Sequence, residues 1–227
     1  MKPTTRTIRV WDLPVRLTHW ALVLCIVGLY ATGEYGWLTM EWHFRLGYVT
    51  LALVLFRLLW GVVGSEHARF SDFVRGPGAM LRYLRNSGSA DYRPAVGHNP
   101  LGAWAVVAML ALILAQATSG LFSNDEIEWF GPLSERISME ASAEWTDWHH
   151  LGQKLLLALI ALHILALSAY RFIKREDLVK PMLTGRKERN DSVDANWRSP
   201  WLALTLFALC VGLVWAISVW GPAISAG

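Results

Sequence analysis

Four histidines, His19, His43, His149 and His163, lie at or just inside the ends of long apolar segments. An ionisable or metal-binding side chain inside a membrane span is costly, and marks a functional site by default. Their depths match in pairs. His163 follows His149 by fourteen positions, about 21 Å along a helix at 1.5 Å per residue. If the first span rises from the cytoplasm, His163 reaches the depth of His19, and His149 that of His43. Fourteen residues at about 100° each return to within about 40° of the starting face, so His149 shares a face with His163 and His150 points elsewhere. One helix can then serve two metal centres. The chemistry that needs two imidazoles on facing helices is axial ligation of a haem iron, which favours electron transfer over oxygen chemistry when both positions are filled.

The elements that must position these residues are membrane helices. The chain has 227 residues, is 54% hydrophobic and only 17% charged, too little charge for a soluble domain of this length. A bilayer core of about 30 Å needs about 20 apolar residues in a helix. Segments 15–33, 44–63, 101–122, 147–170 and 200–220 qualify. The expected fold is an all-α integral membrane protein with five transmembrane helices. The first four form a haem-binding bundle within 1–190, and 191–227 adds a C-terminal helix. Asn99-Pro100 and Ser199-Pro200 are helix starts, with Asn or Ser as N-cap and Pro at the first helical position. The first span is expected to be kept, since cleavage after Ala31-Thr32-Gly33 would remove His19.

Basic residues set the orientation. The N-terminal arm carries Lys2, Arg6, Arg9 and Arg16. The loop after the second span, 64–100, carries Arg69, Arg75, Arg82, Arg85 and Arg93, and the loop after the fourth is richer still. The opposite loops are acidic. A bacterial inner-membrane protein with a cytoplasmic N-terminus and a periplasmic C-terminus is expected. Residues 77–85 alternate apolar and basic positions at helical spacing and predict a short helix on the cytoplasmic membrane surface. The acidic loop 123–146, with Trp129 and Phe130, is either a docking site for a periplasmic partner or a solvated connector. Many of the 13 tryptophans flank the apolar runs, as interfacial belts do. Cys25 and Cys210 read as small buried apolar residues. No C-x-x-C-H occurs, so covalent c-type haem is not indicated. The basic residues track membrane loops, and nothing points to nucleic acid.

Intramembrane cations fit the same chemistry. Arg57, Arg45 and Lys154 are candidate partners for haem propionates, since a guanidinium pairs well with a carboxylate, although Arg45 can also snorkel to the interface. Gly28, Gly47, Ala52 and Gly120 would let helices or a porphyrin approach closely. His67 and His98 sit in the flanks and read as solvated. His150 reads as interfacial or as hydrogen-bonded near the outer haem.

The run Val10-Trp11-Asp12-Leu13-Pro14-Val15-Arg16-Leu17-Thr18-His19-Trp20 resembles the opening of bacterial b561-type di-haem cytochromes. These include the b-type subunit of membrane nickel–iron hydrogenases and the gamma subunit of formate dehydrogenase. His43 to Tyr48, Phe56 to Gly61, Gly97 to Gly102 and the run from His149 through His163 extend the resemblance over residues 8–190. It implies two non-covalent haem b groups, His19 paired with His163 and His43 with His149. It also implies electron exchange between a periplasmic redox partner and the membrane quinone pool of a respiratory chain. The partner would be a cytochrome c, or a hydrogenase-like or dehydrogenase subunit. His98, Asn99 and Arg57 are the candidates for the quinone site. The fifth span has neither histidine nor charge and reads as a packing or anchoring helix; a homodimer is compatible with the sequence. Two alternatives remain. One is a self-sufficient oxidoreductase passing electrons from a diffusible reductant such as superoxide to quinone, favoured by a basic funnel from Arg45 and Lys154. The other is a metal-ion or proton transporter, for which the third and fifth spans offer only Gln116, Thr118, Ser119, Thr205 and Ser218 as polar lining.

Overall fold

A computed structural model describes residues 6–86, 95–189 and 195–220. Lys2, Arg93 and the C-terminal end lie outside the described residues. The elements run β1 (Arg6–Arg9), α1 (Leu13–Tyr35), α2 (Met40–Val63), α3 (Phe70–Phe73), α4 (Pro77–Asn86), α5 (Pro100–Phe122), α6 (Met139–Phe172), α7 (Val179–Thr184), β2 (Arg186–Arg189) and α8 (Pro200–Trp220). Five of them, α1, α2, α5, α6 and α8, are long and apolar enough to cross a membrane, and the chain is a multi-pass membrane protein. In a bilayer a helix satisfies its own backbone groups, which is why the apolar runs take this form.

The caps that the sequence predicts are made. Asn99 Oδ1 accepts the Gly102 amide at 2.8 Å, and Ser199 Oγ accepts the Trp201 amide at 3.3 Å. The helix predicted over 77–85 appears as α4. Two features differ from expectation. α6 has 34 residues, about 51 Å, well beyond the bilayer core. Its extra turns start at Ser138, whose Oγ accepts the Ala141 amide, and they are held by Ser142, whose hydroxyl donates to the Phe122 carbonyl at 2.6 Å. The second difference is the two-stranded antiparallel ladder, pairing Arg6 with Arg189 and Arg9 with Arg186. Short arginine-rich strands carry no alternating pattern to announce them.

The described chain divides into two compact units. The first contains 1–17, 59–108 and 160–203. Its hub is Asp12, a buried carboxylate at the start of α1. Oδ1 accepts the Val15 amide at 2.8 Å as an N-cap, and Oδ2 accepts the indole N–H of Trp60, only 1% exposed, at 2.8 Å. Arg16 donates to the carbonyls of Met182 and Leu183 at the end of α7. Gly185 follows with φ 77°, a left-handed cap that suits glycine, and its carbonyl accepts the Val10 amide at 2.8 Å. Lys187 pairs with Glu176 at 2.7 Å and also donates to the Ala95 carbonyl.

The second unit contains 18–58, 109–159 and 204–227. Here α8 lays Phe207 edge-on against Phe56 of α2 at 5.7 Å, with Cys210 and Val214 buried on the same stripe. The loop after α5 is ordered: the carboxylate of Asp125 accepts the amides of Ile127, Glu128 and Trp129, and these donors, Trp129 first, hold its pKa below the usual carboxylate value. Trp129 in turn packs against Phe44 of α2 at 6.2 Å.

Removing the Asp12 carboxylate deletes a cap and orphans a buried indole N–H. Asp12→Ala is expected to cost about 2–4 kcal/mol, seen as a lower thermal midpoint in detergent; an unchanged midpoint would deny the contact.

Candidate metal centre

α2 carries His43 one turn inside its start, and α6 carries His149. The structure brings their rings together, with centroids 6.3 Å apart and planes at 72°. Two metal–imidazole bonds of about 2 Å each, plus two half-rings, span about 6 Å, so the spacing suits one metal ion held between them.

Each ring is held from behind by a helix that carries neither of these two histidines. His43 Nδ1 lies 3.1 Å from the Leu29 carbonyl and 3.1 Å from Thr32 Oγ1, both on α1. His149 Nδ1 lies 3.0 Å from the Gln116 carbonyl and 3.0 Å from Ser119 Oγ, both on α5. The hydroxyl protons are already spent, since Thr32 donates to the Gly28 carbonyl at 2.8 Å and Ser119 to the Gln116 carbonyl at 2.9 Å. Every group facing the two Nδ1 atoms is therefore an acceptor, which fixes Nδ1 as the protonated nitrogen. The lone pair is left on Nε2, the ligating tautomer.

The two cradles follow one pattern. A carbonyl at position i, a hydroxyl at i+3 and a glycine at i+4 recur as Leu29, Thr32, Gly33 and as Gln116, Ser119, Gly120. Both fall in the last two turns of their helices. A Cβ on Gly33 would stand 3.0 Å from His43 Cε1, and one on Gly120 3.0 Å from His149 Cε1. The glycines thus let each imidazole lie against a helix backbone. Gln116 adds a third tie, donating from Nε2 to the His149 carbonyl at 2.9 Å, and Gly152 of α6 leaves room for its side chain.

Sequence reasoning singled out Gly120 but missed Thr32, Ser119, Gln116 and Gly33 as positioning residues. The recurring hydroxyl–glycine pair near two helix ends was the available signal. Gln116 and Ser119, which a transport path would have used, are committed to His149.

The other predicted residues are placed as follows. His150 is exposed, in keeping with the helical phase. His19 meets Trp20 edge-on at 5.1 Å, and His163 is exposed on α6. These two histidines belong to different units. Arg57 is buried, at 5% exposure. Arg45 is paired with Glu41 and lies over the Trp42 ring at 5.0 Å; Lys154 is exposed. Gly28 faces Leu46, whereas Gly47 has nothing within 4 Å and supports no close approach among the described residues. Asn99 caps α5 and also donates to the Tyr170 hydroxyl at 2.9 Å. The solvated assignment of two flanking histidines is corrected. His98 lies between Trp11 at 4.6 Å and Phe73 at 4.3 Å, and His67 pairs with Asp72 at 3.1 Å. For His98 the contacts come from Trp11, just before α1, and from α3, both distant in sequence, whereas the partner of His67 lies five residues on.

Membrane-spanning helices that present two cradled imidazoles define a membrane b-type cytochrome, an electron-transfer protein. The chain belongs to the prokaryotic cytochrome b561 family, whose model matches residues 10–185. It is similar to proteins named as probable Ni/Fe-hydrogenase B-type cytochrome subunits. That of Bradyrhizobium diazoefficiens is 24% identical over 82% of this chain and 87% of the relative. That of Cupriavidus necator is 27% identical over 80% and 87%. The Escherichia coli K12 subunit is 22% identical over 78% and 88%. No solved structure matches. A b-type cytochrome implies haem b, and two neutral imidazoles at this spacing fit an axial ligand pair.

Gly33→Ala and Gly120→Ala each force an imidazole to shift, and each is expected to lower haem affinity by about 10-fold or more, by analogy with other positioning groups. Gly47→Ala should leave it unchanged. Haem retained per purified chain measures all three; full retention by both cradle variants would show that the glycines do not position the ligands.

Proposed function

We propose that the chain carries two haem b groups, each held non-covalently by two histidines, and passes electrons between quinone and a redox partner on the opposite side of the inner membrane. The observation that carries this reading is the paired cradling of His43 and His149. Protein groups that spend both Nδ1 protons in this way orient imidazoles for a metal and raise their basicity. For the second haem the support is sequence position: His163 shares the helix face of His149 at the depth of His19. When bound, bis-histidine haem supplies a one-electron carrier with no open position for oxygen.

The protein residues bind and orient. Arg57, a buried cation, is the proposed propionate partner on the inner side. Arg45 and Lys154 take that role on the outer side, where Glu41 already shares Arg45. The N-terminus and the basic loops lie in the cytoplasm and the acidic loops in the periplasm, by the distribution of Lys and Arg. The ordered loop around Asp125 is then the outer docking surface. The names of the relatives support a partner of hydrogenase type. His98 and Asn99 are the proposed quinone contacts, and Arg57 is a further candidate. A histidine there can relay the protons that quinone reduction consumes.

Pyridine-haemochrome quantification should give two haem b per chain. His43→Ala and His149→Ala should each lose the outer haem, and His19→Ala and His163→Ala the inner one. One haem in the wild type would overturn the second pair, and none in a well-folded protein would overturn the proposal. His98→Ala should retain both haems and slow quinone turnover; unchanged turnover removes His98 from the quinone site.

A further inference from the structure

A cavity of about 360 Å³ lies in the first unit, where α1 and α8 begin, and none of its charge is used by the electron-transfer site. Arg9, Arg16, Arg186 and Arg198 line it, together with Trp11, Trp60 and Trp197. Arg9 and Arg186 stand directly opposite each other on the β1–β2 ladder, an arrangement of like charges that destabilises the ladder by itself. Arg198 is brought in by its own amide, which donates to Ser65 Oγ at 3.2 Å. Asp12 is the carboxylate of the lining, and both its oxygens are spent on Val15 and Trp60. The guanidinium groups of Arg9, Arg186 and Arg198 are exposed and meet no carboxylate among the described residues. An anion placed among them would relieve the repulsion.

The surroundings select a lipid over a soluble anion. Leu13 and Leu17, one turn apart on α1, are exposed beside the cavity, and Trp201 of α8 is 74% exposed. These surfaces can carry acyl chains, while indoles among arginines suit the headgroup level of a bilayer. We propose that this cavity binds the headgroup of an anionic phospholipid. The phosphodiester takes hydrogen bonds from Arg9, Arg186 and Arg198, and the acyl chains run along α1 and α8. Arg16 is left to its structural task, since its guanidinium already serves the carbonyls ending α7.

The test is native mass spectrometry of the full haem-loaded chain in detergent. Phosphatidylglycerol, phosphatidylcholine with the same acyl chains, and inorganic phosphate are added in parallel. Phosphatidylglycerol adducts are expected to exceed phosphatidylcholine adducts by about 10-fold or more. The preference should vanish in the triple variant Arg9→Gln, Arg186→Gln, Arg198→Gln, with the haem spectrum unchanged. If the triple variant fails to fold, Arg198→Gln alone, outside the ladder, should still weaken the preference several-fold. Equal retention of the two lipids, or a preference that survives in the folded triple variant or in Arg198→Gln, overturns the proposal. Displacement of phosphatidylglycerol by equimolar inorganic phosphate also overturns it, and marks the cavity as a soluble-anion site.

Discussion

An imidazole in a membrane interior must satisfy one nitrogen with protein before the other can serve a metal. Water is absent there, and an unpaired N–H costs free energy comparable to a lost hydrogen bond. His43 and His149 meet this demand in the same way, each handing its Nδ1 proton to a carbonyl and a hydroxyl of a helix that carries neither of the two. Four helices are therefore needed to present two ligands. The glycines at positions 33 and 120 are part of that requirement, since a methyl group there would occupy the space of the ring.

Much of this was legible in the amino-acid order. Long apolar runs located the spans, Asn99-Pro100 and Ser199-Pro200 located two helix starts, and helical phase chose His149 over His150. What escaped depends on neighbours distant in sequence. Thr32 and Ser119 look like ordinary polar residues near helix ends until the helix packed against them is known. The ladder between β1 and β2 joins segments about 180 positions apart and has no hydrophobic alternation. The ring contacts of His98 with Trp11 and Phe73 likewise join residues distant in sequence.

Charged and polar contacts organise the first unit. Arg16 ties the start of α1 to the end of α7, Asp12 joins the start of α1 to Trp60 of α2, and Lys187 pairs with Glu176 and reaches the Ala95 carbonyl. The fifth span joins this arrangement at its start through Arg198 and packs against α2 through Phe207. It adds no ligand, in keeping with a family match that ends at residue 185.

Low-temperature electron paramagnetic resonance of the oxidised, haem-loaded protein tests ligation by His43 and His149 most directly. Axial imidazoles with planes 72° apart give a strongly anisotropic low-spin ferric signal. That component should be present in the wild type and absent from both His43→Ala and His149→Ala. A low-spin spectrum that neither variant changes, or a wild type with high-spin iron alone, would contradict ligation by this pair.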